Sequence, residues 1–174
     1  MTKLEERAEA YKNAAKHIKS DRVLNLANIW TPVIVQDSGF KMSEAMFDYD
    51  KLEQAVYKFH DKYQFDFYMD FCNRNPLRIS SALGNTDYII DDENGALGYA
   101  TDINYMQPED YDMILENYDE FIWTKYLNKR YQKLNSGDAI KMMSDAAKEV
   151  IAFNNYAVKI NTEMAKRDVP PALL

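Results

Sequence analysis

Two short segments that predict β-strands lie on either side of a helical segment, and this order constrains the fold more than any other feature. Residues 23–35 are mostly apolar and predict a buried strand that ends near Trp30, because a proline two positions later resists strand pairing. Residues 65–71 read FDFYMDF, and their alternation of apolar and polar residues has the period of a strand. A β–α–β order is typical of parallel strands in the α/β class.

The helical segments are predicted from apolar spacing and from capping residues. Thr2 and Glu5 form a capping-box pattern ahead of an amphipathic helix over residues 3–19. Asp50 is in a position to cap a second helix, whose apolar residues recur on one face over residues 52–63. Together they indicate a helix-rich chain in which few strands form the sheet.

A β-hairpin is predicted in the middle of the chain. Residues 86–90 and 96–102 flank the sequence DDENG, in which Asn94 and Gly95 favour a tight turn. The acidic tip does not fit a calcium loop, because with Gly95 at the sixth position the first and twelfth positions hold Ile90 and Thr101 rather than carboxylates. The tip is therefore interpreted as a solvated turn.

From Pro108 onward the chain is predicted to be helical. Asp119 is in a position to cap one segment, and a long helix is predicted over residues 138–167. Asn154 and Asn161 fall near its apolar stripe, either at a solvated margin or as a buried pair that sets the register of a coiled coil. The predicted stripe is Ile140, Met143, Ala147, Val150, Ala157 and Met164.

Charge and cysteine content exclude several classes of protein. Lys and Arg number 21 against 28 Asp and Glu, a formal net charge of −7, so nucleic acid is not expected as a partner. No apolar run approaches the ~20 residues that a membrane span needs, and the charged start is unlike a signal peptide. The single cysteine, Cys72, suits a reducing compartment. We therefore expect a cytoplasmic protein that binds neither nucleic acid nor membrane.

Motifs for phosphate binding, serine hydrolysis and zinc proteolysis are absent from the sequence. His17 and His60 lie on predicted helices without a ligand at metal-binding spacing, so both are interpreted as ordinary helix residues. Cys72 is interpreted as a small buried residue in preference to a nucleophile, because no histidine is near it in the sequence. The sequence predicts no metal site.

Asp70 is the residue of the second strand best placed for chemistry. It lies near the carboxyl end of that strand, where the catalytic groups of β/α barrels are found, and could hold or protonate a polar group of a substrate. The alternative is that Asp70 binds a neighbouring backbone amide, or Arg74 or Arg78. Asp66, four residues earlier, is interpreted as a solvated residue at the start of the strand.

Four stretches of the chain together resemble the uroporphyrinogen decarboxylase superfamily, closest to its branch of decarboxylase-like proteins and corrinoid-dependent methyltransferases. They are the first helix closing on SDRVLNLANI, then SGFKMSEAMFDYDKLEQAVYKFHDKYQFDFY, then LGNTDYIIDDENGALGYATDINYMQPEDYDMILENYDEFIWTKYLNKRY, and finally NTEMAKRDVPPALL. The resemblance implies residues 1–174 as a single incomplete domain. That domain would be the N-terminal portion of a TIM-type (β/α)8 barrel, with two barrel strands and the inserted hairpin.

The resemblance also implies site residues and cofactors. Asp70 would be catalytic, and Trp30 and Asn73 would face the substrate pocket. Zinc and a corrinoid partner protein are implied only for the complete family fold, and this chain would contribute no zinc ligand. The segment NIWTPVIVQDSG lacks the arginine of the porphyrin-binding motif, so methyl transfer between a small molecule or thiol and a corrinoid is expected in preference to porphyrinogen decarboxylation.

Three hypotheses of function remain at the level of the sequence, and the weakest is a small independent enzyme, because two isolated histidines, one cysteine and no phosphate loop leave little for a nucleophile, a metal or a nucleotide. In the first, the chain is the N-terminal part of such an enzyme and is not catalytic until a complementary C-terminal half completes the barrel. In the second, it is a non-catalytic half-barrel that acts by homo- or hetero-association, since open strand edges recruit partners. The second hypothesis predicts that the chain forms a defined oligomer in the absence of a complementary C-terminal half.

Overall fold

Helices make up most of the structure, and its strands are few and short. The structure is a computed structural model that describes residues 1–69, 77–85 and 87–172. The α-helices are α1 (Lys3–Ala15), α2 (Thr31–Ser38), α3 (Met42–Ala45), α4 (Tyr49–Tyr63), α5 (Leu77–Ala82), α6 (Asp110–Glu116), α7 (Tyr118–Phe121), α8 (Leu127–Arg130) and α9 (Ala139–Lys166). The strands are β1 (Leu26–Ala27), β2 (Phe67–Tyr68), β3 (Tyr88–Asp91) and β4 (Ala96–Tyr99). A π-helix (Ile122–Tyr126) and a 3₁₀-helix (Gln132–Asn135) flank α8.

The first two strands are parallel, as their order in the sequence predicts. β1 pairs with β2 in the register Leu26 with Phe67 and Ala27 with Tyr68. The other side of Tyr68 forms a parallel bridge with Pro171, in which the amide of Ala172 donates to the Tyr68 carbonyl at 2.8 Å. Three segments therefore lie side by side in the order in which they occur along the chain.

Both strands are shorter than the sequence predicts. The apolar run that was assigned to the first strand continues instead into α2, whose first turn contains Pro32. A proline is favoured there because its fixed φ suits the helix and its missing N–H has no intrahelical acceptor at that position. In β2 both Phe67 and Tyr68 are buried, so period-two alternation does not separate a wet face from a dry one. Parallel strands covered on both faces show this pattern.

The core lies where the parallel strands meet the helices that cover them. Helix α4 presents its predicted apolar face to this core, although Asp48 caps it rather than Asp50, accepting from the amide of Lys51 at 3.2 Å. The core side chains are buried and come from distant parts of the chain: Ala27, Ile34, Val35, Met42, Ala45, Met46, Leu52, Ala55, Val56, Phe59, Phe65, Tyr68, Leu77, Tyr156, Ile160, Met164 and Val169. Helix α1 ends at Ala15, four residues earlier than predicted, so His17 lies beyond it with a φ of 58°.

The predicted hairpin is confirmed, and its tip is anchored to the core helices. β3 and β4 are antiparallel, with Asp91 opposite Ala96. Asp92 accepts a hydrogen bond from the amide of Ser43 at 2.8 Å, and Gln36 donates to the Asn94 carbonyl at 2.7 Å. The interpretation of a merely solvated turn is thus incomplete, because the acidic tip fixes the hairpin against α2 and α3.

The long C-terminal helix is confirmed, but its predicted stripe is wrong in its first half. Ile140 is 89% exposed, and Met143 and Val150 are also exposed. The buried residues of α9 are instead Met142, Ala146, Tyr156, Ile160 and Met164. The helix carries apolar residues on two faces, and spacing alone does not tell which one packs.

The structure also tests the predictions for Asn154 and Asn161 on α9 and for the cap at Asp119. Asn154 and Asn161 are exposed, as a solvated margin requires. Asn117 rather than Asp119 caps α7, because its side chain accepts from the amide of Glu120 at 3.2 Å. Within the described ranges, none of the helices combines the length and apolar character needed to cross a bilayer.

Candidate functional site

The carboxyl ends of β1 and β2 carry the residues that the sequence singled out. Trp30 comes three residues after β1, at the N-cap of α2, and its side chain is 73% exposed. Asp70 and Asn73, which follow β2 in the sequence, lie outside the described residues, as does Cys72. The structure therefore places one of the three predicted site residues, Trp30, at the surface on this side of the strands.

The backbone holds the two strand ends together at this side. Met69, the last described residue before Asp70, donates its amide to the carbonyl of Ala27 at 2.9 Å. Thr31, directly after Trp30, is buried, and Ile29 packs against the core. The exposed indole of Trp30 thus projects from a backbone that is fixed on both sides.

An ion cluster centred on Asp66 lies at the amino ends of the same strands. Its carboxylate accepts two hydrogen bonds from Arg22, at 2.7 and 2.6 Å, and one from the amide of Asn25 at 2.9 Å. The Nε atom of Arg7 lies 3.3 Å from the same carboxylate. Asp66 is only 6% exposed, so the interpretation of a solvated residue is wrong. The hydrogen bonds from Arg22, aided by the Asn25 amide, lower the pKa of Asp66.

The Asp66 cluster connects elements that are far apart in the sequence. Arg7 belongs to α1 and also donates to the carbonyl of Asp168 at 2.7 Å, just beyond the end of α9. It therefore joins α1, the start of β2 and the segment that leads to Pro171. Sequence reasoning missed both arginines, because no local pattern links Arg22 to a residue 44 positions away. These interactions hold the amino ends of the two strands to α1 and to the segment after α9.

A second buried carboxylate, Asp87, fastens the hairpin to the C-terminal helices. Tyr105 donates its hydroxyl to Asp87, and the amide of Asp87 donates to the Asn85 side chain at 2.8 Å. Arg130 adds an ion pair, with its Nε atom 3.8 Å from Asp87. Burial, together with the bond to Asp87, raises the pKa of Tyr105 to about 12. At neutral pH this tyrosine is therefore a hydrogen-bond donor and not a base.

The two histidines lie in different surroundings. His60 is buried on α4, and this burial lowers its pKa, which favours the neutral ring. His17 is exposed beyond the end of α1. Across the part of the chain that the structure describes, no three His, Cys, Asp or Glu residues are grouped so that they could hold a metal ion. The described residues therefore offer no ligand set for zinc.

One suggested partner of Asp70 already forms an ion pair elsewhere. Arg78, a suggested partner, already forms a two-point ion pair with Glu149, at 2.6 Å through Nε and at 3.0 Å through Nη2. The guanidinium of Arg78 also lies over the ring of Tyr49, 4.4 Å from its centroid. Arg78 thus serves to hold α5 against α9, as Glu149 belongs to that helix.

The carboxyl ends of the strands remain the candidate site by their position in the chain, because the carboxylate of Asp66 at the amino ends is held by Arg22 and by the Asn25 amide. Comparison with known proteins identifies no relative of this chain. The chain matches no protein-family model, no curated protein and no solved structure.

Proposed function

We propose that this chain forms the opening part of a TIM-type barrel of the uroporphyrinogen decarboxylase superfamily, in its corrinoid-dependent methyltransferase branch. The observation that carries the proposal is the parallel arrangement of β1, β2 and residues 170–172, side by side in chain order. Neighbouring strands of such barrels follow the chain in this way, with helices covering the outside. The helix-rich crossovers α2–α4 and α5–α9 are consistent with that architecture.

In this proposal the substrate pocket lies at the carboxyl ends of the strands. Trp30 supplies an exposed apolar surface against which a small methylated molecule packs. Asp70 and Asn73, which follow β2 in the sequence, hold its polar group. On the family resemblance, residues outside this chain would hold zinc in a complete barrel, where it would supply Lewis-acid activation of the group that gives or accepts the methyl. The chain alone is therefore not expected to be catalytic.

A second candidate function, association as a half-barrel, is supported by the surroundings of β1. Within the described residues, β1 pairs only with β2, which leaves its other edge open. Val23, Leu26, Trp30 and Val33 are all exposed on this one short segment. Open edges beside apolar side chains favour pairing with another chain. The partner is either a complementary barrel half or a second copy.

The two functions are separated by light scattering combined with hydrogen exchange of the amides in residues 23–30. A monomer with fast exchange there and no cooperative thermal melt supports the incomplete barrel. A defined oligomer with slow exchange in the same residues supports association. A cooperative monomer in which these amides are protected overturns both, because it leaves no open edge to complete.

The pocket is tested by fluorescence, since Trp30 and Trp123 are the only tryptophans of the chain. In a Trp123→Phe background the emission reports on Trp30 alone, and dimethyl sulfide serves as a methylated probe. A saturable change in emission supports a pocket beside Trp30. A strictly linear response, equal to that of free tryptophan, overturns the assignment of Trp30 to substrate binding.

A further inference from the structure

Helix α9 has an apolar face that no described part of the chain covers. Its buried residues pack toward α4 and α5. On the opposite side Ile140, Ala147, Ile151 and Val158 recur at spacings of 7, 4 and 7 residues, which places them in one row on a helix. Ile140 is 89% exposed, and Ile151 and Val158 are more than half exposed. We call this row the α9 outer face.

A row of lysines runs along one side of the α9 outer face. Lys141, Lys148 and Lys159 each follow a member of the apolar row by one position, and Lys166 continues the series. The acids of the helix, Asp145, Glu149 and Glu163, fall on the side toward the core by the same spacing. The side of α9 beside the apolar row therefore presents lysines, of which Lys166 already pairs with Glu163.

Lys141 is the lysine of this row that is best placed to pair with an acidic group of a partner. Lys148 pairs with Asp145 at 2.9 Å, and Lys159 pairs with Glu53 of α4 at 2.5 Å. Among the described residues, Lys141 forms no ion pair. An incoming acidic surface would therefore gain most at the start of α9, beside Ile140.

A surface of the opposite character lies on α6, α7 and the π-helix of the same chain. Tyr111, Leu115, Tyr118 and Trp123 are each more than half exposed, and Leu115 reaches 85%. Exposed acids accompany them: Asp112, Glu116, Asp119 and Glu120. Asp112 and Glu116 are one turn apart on α6, and Asp119 is one turn before Trp123. We call this group the acidic aromatic surface.

We propose that the α9 outer face binds the acidic aromatic surface of a second copy of this chain. Apolar side chains on both surfaces leave water, aromatic residues supply the contact area typical of interfaces, and lysines meet carboxylates at the rim. Pairing of α9 with α9 of another copy would offer Lys141 no available carboxylate, because the acids of this helix already pair with Lys148, Lys166 and Arg78. The proposal does not rest on the proposed function, because neither surface includes the edge of β1.

The contact joins two different patches, which determines the type of assembly. Each copy that uses its α9 outer face still has a free acidic aromatic surface, so association continues into rings or open chains rather than stopping at a dimer. The contact is made through one helix face and depends on lysine–carboxylate pairs at its rim. Association is therefore expected to be reversible and to weaken with salt.

The first measurement is sedimentation velocity over a concentration series, at salt concentrations of about 0.02 M and about 0.5 M. The average mass is expected to rise beyond that of a dimer at low salt and to fall on adding salt. Ile151→Ser on the α9 outer face is expected to remove the rise without introducing charge. A monomer at every concentration, or a dimer that ignores salt, overturns the proposal.

Charge exchange identifies the two surfaces. Lys141→Glu with Lys148→Glu makes the α9 outer face acidic, and Glu116→Lys with Asp119→Lys makes the other surface basic. Each double variant alone is expected to stay monomeric, because its own two surfaces then carry like charge. An equal mixture is expected to regain association, since every contact between the two variants joins opposite charges.

Matched controls separate this contact from other occupants of the α9 outer face. Lys12→Glu with Lys19→Glu changes net charge equally on an exposed region elsewhere and is expected to leave association unchanged. Vesicles with anionic headgroups test a lipid surface as the occupant. Failure of the mixture to associate overturns the proposal, and binding to vesicles by a chain that stays monomeric assigns this face to a membrane surface instead.

Discussion

The two ends of the short parallel strands are held in different ways. At the amino ends, the carboxylate of Asp66 is buried and receives hydrogen bonds from Arg22 and Asn25, with Arg7 beside it. At the carboxyl ends, Trp30 is 73% exposed, and its side chain caps no helix amide. A side chain fixed by charged partners is needed to hold the fold, whereas an exposed one is free to meet a ligand. The carboxyl ends of the strands are therefore the better candidates for binding a ligand.

The largest expected effect is at Asp66. Asp66→Asn removes the charge that compensates Arg7, whose side chain is only 14% exposed, and is expected to lower the free energy of unfolding by about 3 kcal/mol. Urea denaturation measures this loss. Asp21→Asn, at an exposed position close to Arg22, is the control and is expected to change it by less than about 0.5 kcal/mol. Equal effects at the two positions would show that the ion cluster does not hold the amino ends.

Acid should release the same end of the strands. The folded-state pKa of Asp66 is lowered, so its contribution to stability is present above the unfolded pKa of ~3.9 and is lost as the pH falls toward the folded value. Between about pH 5 and pH 3 the wild-type chain is expected to lose more stability than Asp66→Asn. Other aspartates with lowered pKa values, such as Asp92, affect both proteins and cancel in the difference. If the free energies of unfolding of the two proteins change with pH in the same way, the charge of Asp66 does not stabilise the fold.

The elements of this fold that sequence reasoning predicted are those with local signals. The capping box of Thr2 and Glu5, the turn at Asn94 and Gly95, and the long helix α9 each depend on residues a few positions apart. The parallel pairing of β1 with β2 also followed from their order along the chain. For these elements the local preference and the tertiary structure agree.

What the sequence did not predict depends on residues far apart. Asp66 reads as a polar position of an alternating strand, and only the fold brings Arg7 and Arg22 to it. Spacing on α9 shows two apolar faces, but which one is buried is decided by α4 and α5 rather than by α9 itself. Of the three candidate site residues, the structure describes Trp30. Asp70 and Asn73 lie outside the described ranges, so their place at the strand ends stays a prediction from the sequence.

A smaller effect is expected in the middle of β2. Tyr68 donates its hydroxyl to Asn161 and so connects the strand to α9, and burial raises its pKa to about 12. Tyr68→Phe keeps the ring and is expected to lower the free energy of unfolding by about 1 kcal/mol. Asn161→Ala removes the acceptor while the hydroxyl stays in the interior, so it is expected to cost at least as much. If Tyr68→Phe leaves stability unchanged in urea, that hydrogen bond does not hold β2 against α9.

The smallest effect on stability is expected at Trp30, and this is what makes the residue informative. Because its side chain is mostly in water, Trp30→Ala is expected to change the free energy of unfolding by no more than about 0.5 kcal/mol. Phe121→Ala, at a buried aromatic position, is the control and is expected to cost about 3 kcal/mol or more. A large loss at Trp30 would mean that both ends of the strands serve the fold. A negligible loss would show that the Trp30 side chain does not stabilise the fold. Any effect of Trp30→Ala on ligand binding would then be an effect on binding alone.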